Sequence, residues 1–247
     1  MLNYFKIFTL FVVFTVTVQT SYGIDEISDP YEKSNRRIHE FNDKIDIYFL
    51  RPISISYSYL PNPLEKGIVN VLQNSGEPIN FTNYVLQGEI GSAFSSMLRL
   101  IINSSFGLFG LFDVAEKINL YANNTDFDIT LRKWGVKEGN YLVIPFIGPR
   151  SSRHFAGSII DIAINPLNYL LKDENNAIRI SPTILYAVSS RSGNMDTIDN
   201  LRETSIDYYS SLKSIYYQNR YASPGNSSDN LIIDDFFETL DEENKNE

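Results

Sequence analysis

The chain has 247 residues, no cysteine, two histidines and a formal net charge of −9. The missing cysteines exclude disulfides, thiolate metal sites and cysteine nucleophiles. The acidic balance argues against nucleic acid and against electrostatic attraction to anionic lipid head groups. A chain of this length suits one domain with tails and can bury a full core without bridges.

Lys6 is the sole charge before Asp25, and residues 7–18 form an uncharged apolar run interrupted by threonines. Ser21 and Gly23 supply the small residues of a cleavage site, so residues 1–23 read as a secretory signal. A transmembrane anchor is the alternative, but the run is short of the roughly 18–20 apolar residues of a span. Asp29 and Pro30 then read as the N-cap and first residue of a helix. Tyr31, Ile38, Phe41, Ile45, Tyr48 and Phe49 lie on one face of it, and Arg51-Pro52 is expected to end it. A second helix is expected from Asn62-Pro63 and a third from Glu77-Pro78 to about Gly88. A fourth, over about 91–103, carries the stripe Phe94, Met97, Leu98, Ile101 and Ile102.

Residues 106–112 read Phe-Gly-Leu-Phe-Gly-Leu-Phe, after which Asp113 and Glu116 suit a capping box. Asp126 suits the cap of a short helix over 127–134. Glycines and prolines across 135–149 flank Tyr141-Leu142-Val143-Ile144, which suits an extended segment or hairpin. Ser151 or Ser152 starts a further helix that Asn165-Pro166 ends. Ser181-Pro182 starts another, broken near Gly193, and Ile198, Leu201, Tyr208, Leu212 and Ile215 suggest a long last helix to about Arg220. From Ser223 the chain is polar and acidic, which reads as a disordered tail with a short apolar island at 231–237. The expected fold is all-α, one domain over 24–222 between the signal and the tail at 223–247.

No constellation for covalent chemistry stands out. His39 and His154 have no ligand-spaced partners and read as polar surface or cap residues. No nucleophile elbow, paired metal-ligand histidines or phosphate-binding glycine loop occurs. Ser210 and Lys213 fit S-x-x-K by chance on a helix stripe. No metal and no cofactor is expected. The run at 106–112 has two readings: its glycines bring backbones together in a core, or its apolar side chains sit among acyl chains. Glu77, Asn83, Arg99 and Asn103, set beside strong apolar stripes, either form a buried network or line a wet passage.

Asp29-Pro30-x-Glu32, Asn35-Arg36, Phe41-Asn42, Arg51-Pro52, Asn74-x-x-Glu77-Pro78, Leu86-Gln87-Gly88 and Asn103-x-x-x-Gly107-x-x-Gly110-x-x-Asp113 keep a common order and spacing. This string resembles the MlaA/VacJ family of outer-membrane phospholipid-transport proteins. Asp126-Phe127, Thr130-Leu131, Trp134-Gly135-Val136, Gly139-x-Tyr141, Gly148-Pro149, Arg153, Asp199, Arg202 and Arg220 extend the resemblance over about 29–221. Ser34 stands where the family usually has phenylalanine, and Asp128 and Arg132 stand where it has glycines. The family's acylated cysteine has no counterpart, which leaves anchoring to the protein's own surface or a location partly in the periplasm.

The resemblance implies a helical ring lying in one membrane leaflet, the inner leaflet of the outer membrane, with an amphipathic channel. Phospholipid would pass through it to a periplasmic carrier, beside a trimeric porin. Each methylene exposed to water costs about 0.8 kcal/mol, so a two-chain lipid faces a barrier on the order of 20 kcal/mol without such a path. Phe41, Asn42, Asp46 and Arg51 are the expected supports of the ring, and Asn83, Gln87, Arg99 and Asn103 its polar wall. Phe106, Leu108, Phe109, Leu111 and Phe112 are the expected lipid contacts, and Tyr141, Ile144, Pro145 and Phe146 a gate hairpin. Two rivals stay open: a soluble periplasmic interaction module using the acidic tail, and a phospholipid hydrolase for which no nucleophile is in sight.

Overall fold

The computed structural model describes residues 29–222, so the expected signal and the acidic tail lie outside the described residues. The chain runs through helix α1 (Glu32–Ile45), a π turn (Asp46–Leu50), α2 (Arg51–Ser58), α3 (Asn62–Leu86), α4 (Ile90–Ser105) and the short α5 (Val114–Lys117) and α6 (Phe127–Lys133). A hairpin of β1 (Tyr141–Ile144) and β2 (Gly148–Ser151) follows. The chain closes with α7 (Ser152–Ile164), α8 (Pro166–Leu170), α9 (Asn176–Gly193), α10 (Met195–Thr204) and α11 (Tyr208–Ala222). The fold is all-α with one two-stranded antiparallel ribbon that pairs Tyr141 with Ser151 and Ile144 with Gly148.

The packing of these elements closes on itself. From α1 the path runs through the π turn and α2 to α9, across to α3, then to α6, α7, β2 and β1, and back to α1. Helix α4 lies along α3 and carries α5, while α10 and α11 follow α9 and reach β2. A closed circuit of short elements suits the buried aromatic cluster beside the ribbon, where Tyr141 and Val143 meet Tyr209, Tyr216 and Tyr217. The rings of Tyr209, Tyr216 and Tyr217 stand 6.1, 6.0 and 5.9 Å from that of Tyr141, within the range where tilted aromatic pairs attract.

Several helix ends differ from expectation, and proline explains most of them. Pro52 does not stop the first helix. The chain widens instead into the π turn, where the Arg51 N–H returns five residues to the Asp46 carbonyl. The wider turn makes room where the proline ring would otherwise crowd the carbonyl four residues back. Pro78 likewise sits inside the single 25-residue helix α3, so the expected second and third helices are one. Pro182 lies inside α9, which starts earlier, where Asn175 caps Ile178. An interior proline costs about 3 kcal/mol, and tertiary contacts on both sides of Pro78 offset it. The long last helix divides at 205–207 into α10 and α11. Asp29 is no helix cap. Its carboxylate accepts from Asn35 at 2.8 Å and from Lys213 at 3.2 Å, and it also takes the Tyr209 hydroxyl.

Other signals act locally as expected. Asp113, Asp126 and Ser151 accept the backbone N–H of Glu116, Ile129 and His154 respectively. Gly88, with φ at +76°, ends α3. Its N–H returns to Val85 and that of Glu89 to Tyr84, a Schellman closure that needs the left-handed residue.

Candidate functional site

Helices α3 and α4 are built inside out relative to a water-soluble bundle. The face of α4 turned inward carries Ala93, Ser96, Arg99 and Asn103, while Phe94 and Ile101 of its apolar stripe are 54% and 51% exposed. On α3 the buried residues include Asn74, Glu77, Asn80 and Asn83, three apart along one face, while Leu64, Val71, Phe81 and Val85 are exposed. In water, apolar stripes turn inward because burial stabilises by about 25 cal/mol per Å². Here polar pairing holds the interior and apolar surface faces out.

Arg99, 2% exposed, is the hub. Its Nε donates to Glu77 Oε1 at 2.7 Å, one terminal nitrogen to Asp113 Oδ2 at 2.8 Å, and the other to the Leu120 carbonyl. Asn103 donates to Asp113 Oδ1 at 3.1 Å and accepts the Ala115 N–H at 2.9 Å. Asn80 donates to Glu77 and Asn124, both at 3.2 Å, and accepts the Thr125 N–H at 3.1 Å. Burial alone would lower the pKa of the Arg99 guanidinium, and the hydrogen bonds of Asp113 and Glu77 more than reverse this. Burial pushes the Asp113 carboxyl up, and Arg99, the Glu116 N–H and Asn103 hold it below the usual range. Of the four expected wall residues, Asn83, Arg99 and Asn103 are therefore buried and paired with protein groups. Gln87 lies beside them, donating to Thr125 and Thr130 at 2.8 and 2.9 Å.

Asn83 links this cluster to the next part of the circuit. It accepts the Thr130 hydroxyl at 2.8 Å and donates to Asp161 Oδ1 at 2.9 Å. Asp161 also accepts the Phe127 N–H at 3.0 Å, so one carboxylate of α7 joins α3 and the start of α6. Burial, with Asp126 and Asp128 nearby, pushes its pKa up to about 6 against the pull of those two hydrogen bonds. Asp128, one of the residues standing in place of a glycine, is buried between Arg153, at 2.6 Å, and Arg220. Burial pushes its carboxyl up, and Arg220 and Arg153 hold it below the usual range.

On the far side of the circuit Asp46 accepts from Arg191 at 2.8 Å and from Arg202 at 2.6 Å. Arg51 pairs with Asp199 at 2.8 Å, Arg191 reaches the same Asp199, and Arg202 pairs with Asp43 at 2.9 Å. Three arginines and three aspartates thus join α1, the π turn and α2 to α9 and α10.

The ribbon is fastened to α1 by two asparagines. Asn35 donates to the Tyr141 carbonyl at 3.1 Å and accepts the Val143 N–H at 3.0 Å. Asn42 donates to the Ile144 carbonyl at 2.9 Å and accepts the Phe146 N–H at 2.8 Å. Seven helical residues rise about 10.5 Å and three strand residues about 10 Å, so the two amides meet the strand in register. Tyr141, expected in the gate, is instead the centre of the aromatic cluster. Pro145 lies in the turn, and Phe146, at φ +65°, is exposed at the tip with its ring 5.3 Å from Phe41.

In the segment 106–112 the glycines face inward and the large side chains face outward. Gly107 and Gly110 are turned in: a Cβ on Gly107 would lie 2.2 Å from the Phe112 carbonyl oxygen, and one on Gly110 2.6 Å from Asn74. Phe106, Leu108, Phe109, Leu111 and Phe112 are exposed.

Neither histidine is a plain surface residue. His154 stacks on Tyr216, with Nδ1 3.0 Å from its hydroxyl, and burial followed by Arg220 and Arg150 pushes its pKa down to about 3. His39 packs against Tyr208 and Tyr209, and burial lowers its pKa. Ser210 donates to Asp207 and Lys213 to Asp29, so the S-x-x-K pair does not work together. Among the described residues no group of acids and histidines is placed to hold a metal ion. No described helix is long and apolar enough to cross a membrane. Asn35, Thr130, Asp161, Arg153 and Arg191 were not among the expected site residues. The three-residue spacing from Asn74 to Asn83 was a usable signal for the α3 face, whereas nothing local marked Asp161.

The sequence profile of the MlaA lipoprotein family matches residues 27–223. An uncharacterised protein of Rickettsia bellii is 36% identical over 81% of this chain and 78% of its own. The intermembrane phospholipid transport system lipoprotein MlaA of Haemophilus influenzae is 31% identical over 79% of each chain. A solved structure, described as a structural basis for maintenance of bacterial outer membrane lipid asymmetry, superposes with a TM-score of 0.68 at 29% identity. The match covers 77% of this chain and 96% of that one.

Proposed function

Because the chain belongs to the MlaA lipoprotein family, we propose that it is a non-enzymatic phospholipid-transport protein of the outer membrane, working as a ring in the periplasmic leaflet. The observation that carries this reading is the inversion of α3 and α4, with Arg99, Glu77 and Asn83 inside and Phe94, Ile101 and Val71 outside. Hydrocarbon offers backbone groups no partner, so an inserted protein must satisfy them within helices or turns. An all-α circuit does so.

The ion clusters at Asp46–Arg191 and Glu77–Arg99 and the Asn83–Asp161 link act as the rigid frame. Asn103, Asn42 and Arg51 belong to the same frame, and Gln87 sits at its edge. In this reading phospholipid moves through the ring to a periplasmic carrier, its head group on a polar path and its acyl chains on an apolar one, with a trimeric porin as neighbour. No bond is made or broken. The turn of the hairpin is the ring's movable part, released when Asn42 lets go of the Phe146 N–H, while Asn35 holds the strand.

The test is purification from the outer-membrane fraction in detergent, followed by lipid analysis and transfer between labelled and unlabelled vesicles. Co-purified phospholipid and transfer above the spontaneous rate are expected. A lipid-free protein recovered with the soluble periplasm would overturn the reading in favour of an interaction module, and fatty-acid release would overturn it in favour of a hydrolase.

A further inference from the structure

We infer that the turn at 106–112 is a preformed membrane anchor that inserts into the hydrocarbon of one leaflet and holds the protein there without a covalent acyl chain. The inference rests on the membrane reading above and assigns the attachment to one segment. The chain has no cysteine to carry an acyl group.

Residues 100–112 contain no charged side chain. Within this stretch Leu108 and Phe109 adopt φ of +51° and +58°, in the left-handed region. That conformation is unfavourable for a residue with a Cβ. Core packing does not offset the cost, because these side chains are 61% and 83% exposed. In water the turn is therefore unfavourable twice, through its backbone and through its apolar surface. Strain that persists at exposed positions points to function, and acyl chains are the surroundings in which the same side chains become favourable.

The turn is built to stay in shape. Phe109 donates to Ser104 at 3.1 Å, Gly110 to Asn103 at 2.8 Å, Leu111 to Leu108 at 3.2 Å and Phe112 to Gly107 at 2.9 Å. Asn70 caps the Leu111 carbonyl at 3.2 Å. Leu111 lies against Gly67, where a Cβ would stand 2.6 Å from its Cδ1, so the turn is seated on α3. Amides paired within the protein can enter hydrocarbon at little cost. With an acidic chain, attachment is hydrophobic and insensitive to salt.

The test is flotation of the unacylated chain from residue 24 onward with vesicles of phosphatidylcholine, comparing wild type with Leu108→Asn/Phe109→Asn. Asparagine accepts the left-handed conformation better than other side chains, so the variant keeps the turn while losing its apolar tip. Wild type is expected to float equally at low and high salt. The variant should bind on the order of a hundredfold more weakly, with an unfolding midpoint equal to or above that of wild type. Equal flotation of both proteins overturns the inference, as does a lowered midpoint, which would make the two side chains structural. An oligomer in gel filtration that the variant abolishes while flotation is unchanged would assign the turn to contact between copies. Failure of wild type to float refutes tether-free attachment. Phospholipid co-purification tests the transport reading separately, so the two failures can be told apart.

Discussion

Replacing Arg99 by methionine distinguishes a sealed frame from a wet passage. Arg99 and Glu77 are 2% and 1% exposed, and the guanidinium also serves Asp113 and the Leu120 carbonyl. Methionine fills much of the space but leaves a buried carboxylate pair with no cation. Breaking a buried ion pair from one side costs about 3–5 kcal/mol, so Arg99→Met should lower the unfolding free energy by that amount at pH 7. Asp113 is held below its usual range by Arg99, so the wild-type contribution is present at neutral pH and lost as pH falls through the carboxylate range. Without Arg99, burial is left to push the Asp113 carboxyl up, so the cost of the variant should shrink as pH falls and that carboxyl takes up a proton. Adding Glu77→Gln and Asp113→Asn to Arg99→Met should recover more than half of the loss, because no unpaired charge remains and asparagine still caps α5. Urea unfolding followed by circular dichroism at fixed detergent gives all three numbers. A loss under about 1 kcal/mol for Arg99→Met, independent of pH, would refute the reasoning: the carboxylates would then be hydrated and the space between α3 and α4 open to water.

Two further substitutions probe the other joints. Asp161 has its pKa raised to about 6, so its ionisation opposes folding. Its favourable state is complete below the unfolded value near 4 and is lost as pH rises through 6. Between pH 7 and pH 4 the stability of wild type should rise relative to Asp161→Asn by up to about 3 kcal/mol, and parallel profiles would remove Asp161 as a buried acid. Asn42→Ala deletes both hydrogen bonds that hold the ribbon near its turn. It should cost about 1–3 kcal/mol and speed amide exchange at Phe146, while Val143, held by Asn35, stays protected. Uniform exchange along the hairpin would mean that the two amides do not act as separate fasteners.

Much of the chain was readable from local rules. The caps at Asp113, Asp126 and Ser151, the glycine stop after α3 and the hairpin depend on residues within a few positions of one another. What local reading missed was where each face points. The stripe Phe94, Met97, Leu98, Ile101 and Ile102 has the spacing of a core face, yet Phe94 and Ile101 are exposed, and Ser96 and Arg99 of the same helix are buried. Periodicity reports that a helix has two faces and does not say which of them meets water, acyl chains or another helix.

The prolines carry the same lesson. Pro52 read as a stop and Pro78 and Pro182 as starts because a proline's cost is local, and all three lie in continuing helical chain because the compensation is not. The pairing of Asp46 with Arg191, Asn83 with Asp161 and Asn35 with Val143 joins residues 145, 78 and 108 positions apart. By itself, the sequence determined an all-helical family member with a polar stripe, an apolar turn and no cysteine. Only the tertiary structure decided that the polar stripe is internally paired and the apolar turn lies outside. A side chain's partner depends on where the chain returns in space, and the balance between desolvation and pairing is settled there.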